Sequence, residues 1–515
     1  MAQIFSGIHH IPNSLMPSVA KRRIERGMVA CVAGLMLLVL SACGSQPDVS
    51  AAPMSTSAPI ASHSQAIGTP VIDTAGLEID GADTIDAYLD GEASVPALVL
   101  DQGVWDSVAD LYTKNQSQPF WHDGDKWLPV AIETVQVIRQ AARHGLLPSD
   151  YLPSGLSLPA YKASNAAAII EVELTLTSGV LSYILDVQEG RYAPSKSLDP
   201  VSVFIEGAQA DDYPAWLSGL TADHWIYRRM VNADGQHATL DGPDWDRYRV
   251  TMEKLRWDAP NLPVEGRYIL ANVGSAEVWA MDGLTLDLGA NAVVGRATRQ
   301  TPLRDDAIVS LKFSPDWTAP YSIIEKDLVK MAQENPAHVQ AMGVEIYQAG
   351  QLVDPYSIDW FNVNVRRYVF KQPPGPMNVL GGVRFTLQNS QAIYLHDTPD
   401  KASFDADFRA LSSGCIRVGA IDEFALWLMQ GQDPSWTIEQ VRAQMTQPTS
   451  RYEILDRKVP VKTIYTTAWV SHNGTLYTSP DTYRVNDQLR RQMGLPLELV
   501  GDSGLLPMQD MSDVF

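Results

Sequence analysis

The chain has 515 residues, 45% of them hydrophobic and 19% charged, ordinary globular usage that excludes a disordered, collagen-like or multi-span membrane protein. Sixty acidic residues against 39 basic ones give a net charge of −21, the wrong sign for a nucleic-acid binder; three cysteines are too few for a disulfide scaffold or a zinc ribbon. At roughly 150 residues per domain, the length suits two or three domains, each with its own core.

In chain order, Lys21, Arg22, Arg23 and Arg26 come first, followed by 13 apolar or small residues from Met28 to Leu40. A basic cluster before such a run has the pattern of an export signal and is too short to span a bilayer. Leu40-Ser41-Ala42-Cys43-Gly44 comes next and resembles the lipobox of bacterial lipoproteins, which are cut before the cysteine and acylated on it. Residues 1–42 are therefore expected to be a signal peptide and Cys43 the lipidation site. Gly44, rather than an aspartate, implies sorting to the outer membrane. Without residues 1–42 the net charge is −24, so the membrane partner would be held by lipid rather than by a polybasic patch. Residues 43–82, mostly Ser-, Ala- and Pro-rich, read as a flexible tether.

Residues 83–195 read as helical. Val135, Ile138 and Ala142 fall at helical spacing before Gly145, and Ile170, Leu174, Leu181, Ile184 and Leu185 form a stripe on a second helix from about Asn165 to Val187. Phe120-Trp121 and the turn from Gly145 to Tyr151 read as packing devices. Between about Glu206 and Arg249 the chain reads as a short polar connection without an apolar helical pattern. From Arg267 the character becomes strand-like, in Tyr268–Val273, Leu284–Leu288, Ala292–Gly295 and Ala392–Leu395. The aromatic segment 314–370 reads as an insertion over the sheet, and Val459–Tyr465 as a late strand. The expected fold class is α+β: a mainly β domain over 256–447, an α-helical domain before it, and a carboxyl-terminal segment, 448–515.

Chemistry concentrates in one stretch. Cys415 is the only cysteine beyond Cys43, in Ser412-Ser413-Gly414-Cys415-Ile416-Arg417. A single cysteine is more often a buried small hydrophobe than a nucleophile. Here Gly414 permits a tight turn that exposes the sulfur and gathers backbone N–H groups, and Arg417 offers a fixed cation for a substrate carboxylate. That setting points to a low-pKa nucleophile. Of ten histidines, His122, His144, His224, His237, His338 and His472 stand without an obvious partner and read as structural. His396 ends a strand, precedes Asp397-Thr398-Pro399, and lies 19 residues before Cys415, a plausible Cys–His pair. No His or Asp cluster has metal-ligand spacing, so neither a metal nor a cofactor is expected.

These residues resemble the L,D-transpeptidases of bacterial cell walls, whose signature is a His, a mid-teens spacer and Ser/Thr-His-Gly-Cys. Val294-Gly295…Thr301-Pro302, Gln372–Asn378, Tyr394–Pro399 and Tyr465–Trp469 extend the resemblance to the large, multi-domain branch of the YkuD type, over roughly residues 83–500. The resemblance implies a scaffold domain over 83–255, an insertion acting as a lid, and a carboxyl-terminal segment returning onto the scaffold. It also implies Cys415 as nucleophile, His396 as base, and Ser413, Gly414 and Arg417 at the oxyanion and substrate positions. Carbapenem acylation of Cys415 would follow. Ser413 stands where the family has its second histidine, and the short polar connection before the strands lacks the apolar helical pattern of the peptidoglycan-binding module that large members often carry. The implied reaction joins peptidoglycan stem peptides by 3-3 cross-links, with a tetrapeptide donor, a diaminopimelate acceptor and release of D-alanine. Alternatives are an L,D-carboxypeptidase or cross-link hydrolase of the same fold, or an inactive wall-binding lipoprotein. The implied location is the periplasm, lipid-anchored at the inner leaflet of the outer membrane.

Overall fold

The computed structural model describes residues 84–91 and 102–498, less 124–125, 154–155, 157, 159–165, 234 and 389–392. The signal, Cys43 and the tether lie outside the described residues.

The amino-terminal unit contains a short helix, Ile85–Leu89, and the helices α1 (Gln102–Lys114), α2 (Pro129–Arg139), α3 (Ala166–Gln188), α4 (Pro200–Ala208) and α5 (Tyr213–Gly219). Helix α3 has a mean hydropathy of 1.5 over its most apolar stretch, enough by length and composition to cross a membrane, yet 78% of that stretch is buried inside the protein. It is apolar nearly all round because the other helices surround it. Trp121 packs edge-on against Phe204 of α4 at a ring distance of 6.0 Å, and Phe120 lies in the same core, so Phe120-Trp121 does serve packing. Glu173 of α3 is buried and accepts hydrogen bonds from Tyr112 Oη (2.7 Å), Phe120 N (2.6 Å) and Trp121 N (3.1 Å), which pins the 120–121 segment to the helix.

The stretch expected to be a short polar connection is helical. After α4 and α5 come α6 (Trp225–Val231) and α7 (Gly242–Trp257). Three of the four are nine residues or shorter than that and start on side-chain caps, Asp199, Asp212 and His224, so little hydrophobic periodicity can build up. Together α6 and α7 bury Tyr227, Met230, Tyr248 and Met252.

The strand-rich unit contains β1 (Arg267–Asn272), β2 (Glu277–Asp282), β3 (Thr285–Gly295), β4 (Asp306–Phe313), β9 (Val383–Leu387), β10 (Tyr394–His396), β11 (Ala410–Ser412), β12 (Ile416–Val418) and β13 (Arg451–Ile464). Their order is β11-β3-β12-β10-β9-β4-β13-β1-β2, and β2 pairs again with β3, closing the sheet on itself. The pleat of β1 shows why both faces are buried here. Ile269 and Ala271 enter the core under α10 (Ile421–Gln430), whereas Tyr268 and Leu270 join the core shared with α6 and α7.

Strand β13 adds a second role to the carboxyl-terminal segment expected to pack on the scaffold. It pairs antiparallel with β4 (Val461↔Asp306) and parallel with β1 (Val461↔Ile269), in the interior of the sheet. The hairpin that follows, β14 (Ala468–Val470) and β15 (Leu476–Thr478), packs against α6 and α7 through Trp469 and Leu476, and farther on Glu498 pairs with Arg247 of α7 at 3.0 Å.

The aromatic insertion is a small body with its own core. Strands β5 (Trp317–Thr318), β6 (Glu345–Gln348), β7 (Gln351–Val353) and β8 (Val369–Gln372) form a sheet in the order β5-β8-β6-β7, backed by helices α8 (321–334) and α9 (Pro336–Ala341). Leu328, Val339, Ile346, Trp360 and Phe370 fill it. The Gln372–Asn378 motif closes it: Gln372 Nε2 donates to the carbonyls of Met342 (2.7 Å) and Met377 (3.0 Å).

Candidate active site

Two short parallel strands bring the expected pair together. Strand β10 ends at His396, β12 begins directly after Cys415, and their register sets Leu395 beside Ile416 and His396 beside Arg417. Leu395 and Ile416 point into the core. The alternate positions, His396 and Arg417, therefore share the opposite face, and Cys415, two residues before Arg417, leads onto it. The 19 residues between the pair in sequence collapse to neighbouring strands.

Gly414 turns the chain into Cys415 with φ = +116°. A side-chain carbon there would meet nothing closer than 3.6 Å, so glycine is required by conformation rather than by space. The turn is held from several sides. Thr301 Oγ1 donates to the Gly414 carbonyl (3.0 Å), and Ser412 Oγ donates to the Cys415 carbonyl (2.6 Å) while accepting from Gly414 N (3.1 Å). The Gly414 N–H is thus engaged, which corrects its expected part as an oxyanion donor. Thr301 is fixed in turn by Tyr483, whose hydroxyl accepts from Thr301 N (3.0 Å) and donates to the Gly295 carbonyl (2.5 Å). Gly295 must be glycine because a Cβ would lie 2.2 Å from the Arg299 carbonyl.

Ser413, at the family's histidine position, is the meeting point of two cations. Arg296 Nη2 (3.0 Å) and Arg299 Nη1 (2.8 Å) both donate to its hydroxyl oxygen. With both lone pairs occupied, the hydroxyl's remaining capacity is to donate its proton. Arg299 is bidentate to Asp327 of α8, at 2.5 and 2.8 Å, which ties the insertion to this loop. Sequence reasoning missed Arg296, Arg299 and Asp327. The only signal was that both arginines fall between Gly295 and Thr301, blocks already marked by the resemblance.

His396 is buried, and its Nδ1 lies 2.5 Å from the carbonyl oxygen of Asp397. That bond makes Nδ1 the N–H nitrogen and leaves Nε2 with a free lone pair. The orienting group is a peptide carbonyl; the Asp397 carboxylate instead accepts from Gly382 N (2.8 Å) and pairs with Lys401. Burial first, then the cation of Arg417 and, more weakly, that of Arg384, push His396 down to about 3, so it is neutral at physiological pH. Burial also pushes the Cys415 thiol up, with the Tyr394 N–H, Arg417 and Arg384 pulling against it. The expectation of a low-pKa cysteine is therefore corrected: desolvation outweighs the nearby donors and cations. At rest the site holds a protonated thiol and, on the neighbouring strand, a neutral imidazole. Arg417 is almost fully buried and reaches Asp400 at 3.9 Å. Among the described residues, no group of three or more His, Cys, Asp or Glu gathers as a metal site.

Residues 266–441 match the sequence model of the L,D-transpeptidase catalytic domain. They belong to that family. Residues 106–233 match a scaffold domain, so the helical unit and the transpeptidase domain occur here in the order the resemblance implied. The chain is also similar to a Haemophilus influenzae protein named "Putative L,D-transpeptidase", 26% identical over 409 residues, or 74% of this chain and 78% of that one. The fold is α+β, a helical scaffold followed by a strand-rich transpeptidase domain. Among the other histidines, His144 bonds Tyr227 Oη (2.8 Å) and His224 caps α6, both structural tasks.

Proposed function

We propose that this protein is a cysteine-dependent L,D-transpeptidase that forms 3-3 cross-links between peptidoglycan stem peptides. The observation that carries the reading is the parallel register of β10 and β12, which sets a tautomer-fixed, neutral imidazole beside the cysteine strand. Cys415 Sγ attacks the carbonyl carbon of the third residue, diaminopimelate, in a tetrapeptide stem, and His396 Nε2 takes the thiol proton during attack. Because the resting thiol is protonated, transfer accompanies attack rather than preceding it. An imidazolium in that site is a strong acid, so it passes its proton readily to the departing amine as the C–N bond to D-alanine breaks. The thioester is then attacked by the side-chain amine of a second stem, His396 takes that proton, and Cys415 leaves as thiol. Ser413, held as a donor by Arg296 and Arg299, faces the developing oxyanion; one such donor contributes roughly 3 kcal/mol where removed elsewhere. Arg417 fixes the charge balance beside the pair. No metal or cofactor takes part.

The lipobox-like Leu40–Gly44 supports an exported lipoprotein anchored through Cys43, in the periplasm at the inner leaflet of the outer membrane. Purified protein with disaccharide tetrapeptide should release D-alanine and form dimers joined through their third residues, with Cys415→Ser inactive. Accumulation of tripeptide monomer alone would make the protein a carboxypeptidase. Intact-mass spectrometry should show a carbapenem adduct on wild type and none on the serine variant. A Cys43→Ala protein still partitioning with membranes would end the anchor reading.

A further inference from the structure

The active-site row of the sheet continues beyond His396. Across the strands, register places Arg417 beside His396, His396 opposite Arg384 of β9, and Arg384 opposite Lys312 of β4. Directly opposite residues point to the same face, so these four form one line across the face that Cys415 enters. The intervening row, Ile416, Leu395, Phe385 and Leu311, is core. A line of three permanent cations in a chain of net charge −21 calls for anions.

Two of the three have them. Arg417 faces Asp400 at 3.9 Å, and Lys312 is paired with Asp316. Arg384, between them, has no carboxylate within ion-pair distance among the described residues. Its guanidinium carbon lies over the Tyr394 ring, 4.3 Å from the centroid, and its Nε is buried without a hydrogen-bond acceptor. Tyr394 is the residue whose N–H reaches the Cys415 thiol. The stacked ring fixes where the guanidinium sits while leaving its donors unspent.

We propose that Arg384 is the donor-recognition residue of this site, binding a free carboxylate of the acyl-donor peptide beside Cys415. The assignment rests on the proposed reaction for the identity of the peptide, although not for the anion site itself. A tetrapeptide stem carries two carboxylates near the scissile bond, that of the terminal D-alanine and that on the diaminopimelate side chain. A carboxylate on Arg384 completes the ion pairs of the row and fixes the donor's register relative to the sulfur.

Alkylation of Cys415 tests the anion site without reference to turnover. Iodoacetate and iodoacetamide attack the same thiolate, so a change in the thiol's ionisation cancels in the ratio of their rates, read at the Cys415 peptide by mass spectrometry. The native full-length protein should favour iodoacetate about three- to fivefold relative to the same peptide in the denatured chain, the scale of attraction to one cation a few ångströms away. Arg384→Gln should remove most of that preference and Arg384→Lys should keep it. A ratio in Arg384→Gln matching wild type, with a normal melting profile, overturns the site. Donor kinetics then identify the carboxylate. Wild type should lose kcat/KM on tetrapeptide amidated either at its terminus or at its third-residue side chain, whichever group Arg384 holds, and Arg384→Gln should be insensitive to that same change. A variant that still discriminates against both amides overturns donor recognition even if alkylation responds. Absence of turnover of any stem by wild type refutes the proposed reaction and leaves the alkylation ratio to decide the anion site alone.

Discussion

Glu173 in the scaffold and His396 in the transpeptidase domain are both fully buried titratable groups, and burial shifts both strongly. Glu173 is pushed up to about 7, His396 down to about 3, each toward its neutral form. What differs is how they are bonded. Both carboxylate oxygens of Glu173 are occupied, by a phenol and two peptide N–H groups, and no reacting atom could approach. His396 has one nitrogen tied to a carbonyl and the other left over, on a face lined by arginines. A perturbed pKa marks a functional site only when the group retains an unspent valence toward a cleft.

The contrast can be broken most sharply by kinetics. His396→Ala should lower the rate of Cys415 acylation by about 10² to 10⁴, the usual worth of a general base, while Glu173→Gln should leave it within about twofold. Equal losses would put Glu173 in the chemistry. The two groups should also tilt stability in opposite directions with pH. Glu173 binds its proton more tightly folded than unfolded, so its contribution is full below pH 4.5 and fades as pH rises through about 7. His396 binds its proton less tightly when folded, so its contribution is full above pH 6.5 and fades as pH falls toward about 3. In urea unfolding at pH 5 and pH 8, Glu173→Gln should therefore gain on wild type by on the order of 2–3 kcal/mol across that interval. A difference independent of pH would show that Glu173 is not held neutral. Tyr483 is an intermediate case, fully bonded like Glu173 but one residue removed from the 412–415 turn. Tyr483→Phe should cost about 1–2 kcal/mol in stability, by stranding the Thr301 N–H, and lower D-alanine release by less than tenfold. The smallest effect is expected of Ser413→Ala in thermal unfolding, within about 1 kcal/mol, since Arg299 keeps Asp327; its loss should show in acylation rate instead.

The pair that matters most was legible because it is local in sequence and chemically unusual: His396 at a strand end, Cys415 after a glycine that must adopt positive φ. The long apolar helix and the strand onset at Arg267 were legible by periodicity. Helices α4 to α6 were not, since nine or fewer residues cannot display an apolar stripe and their stability comes from caps and contacts. Strand β2 was missed although it is buried as continuously as β1, since its short run is bounded by the acidic Glu277 and Asp282, and β3 was split because it runs from solvent into the core. Arg384 carries no sequence mark: it becomes notable only because register sets it opposite His396 and, among the described residues, no carboxylate pairs with it.

Strand β13 has a consequence for how the molecule is made. It occupies the slot between β4 and β1, and it is the last strand of the closed sheet to leave the ribosome. Until Ile464 has emerged, the edges of β4 and β1 that it will cover are open, and open edges recruit strands from other chains. A nascent polypeptide of this architecture spends most of its synthesis with its barrel unsealed, and the arrival of β13 decides whether the preceding strands close into a sheet or aggregate.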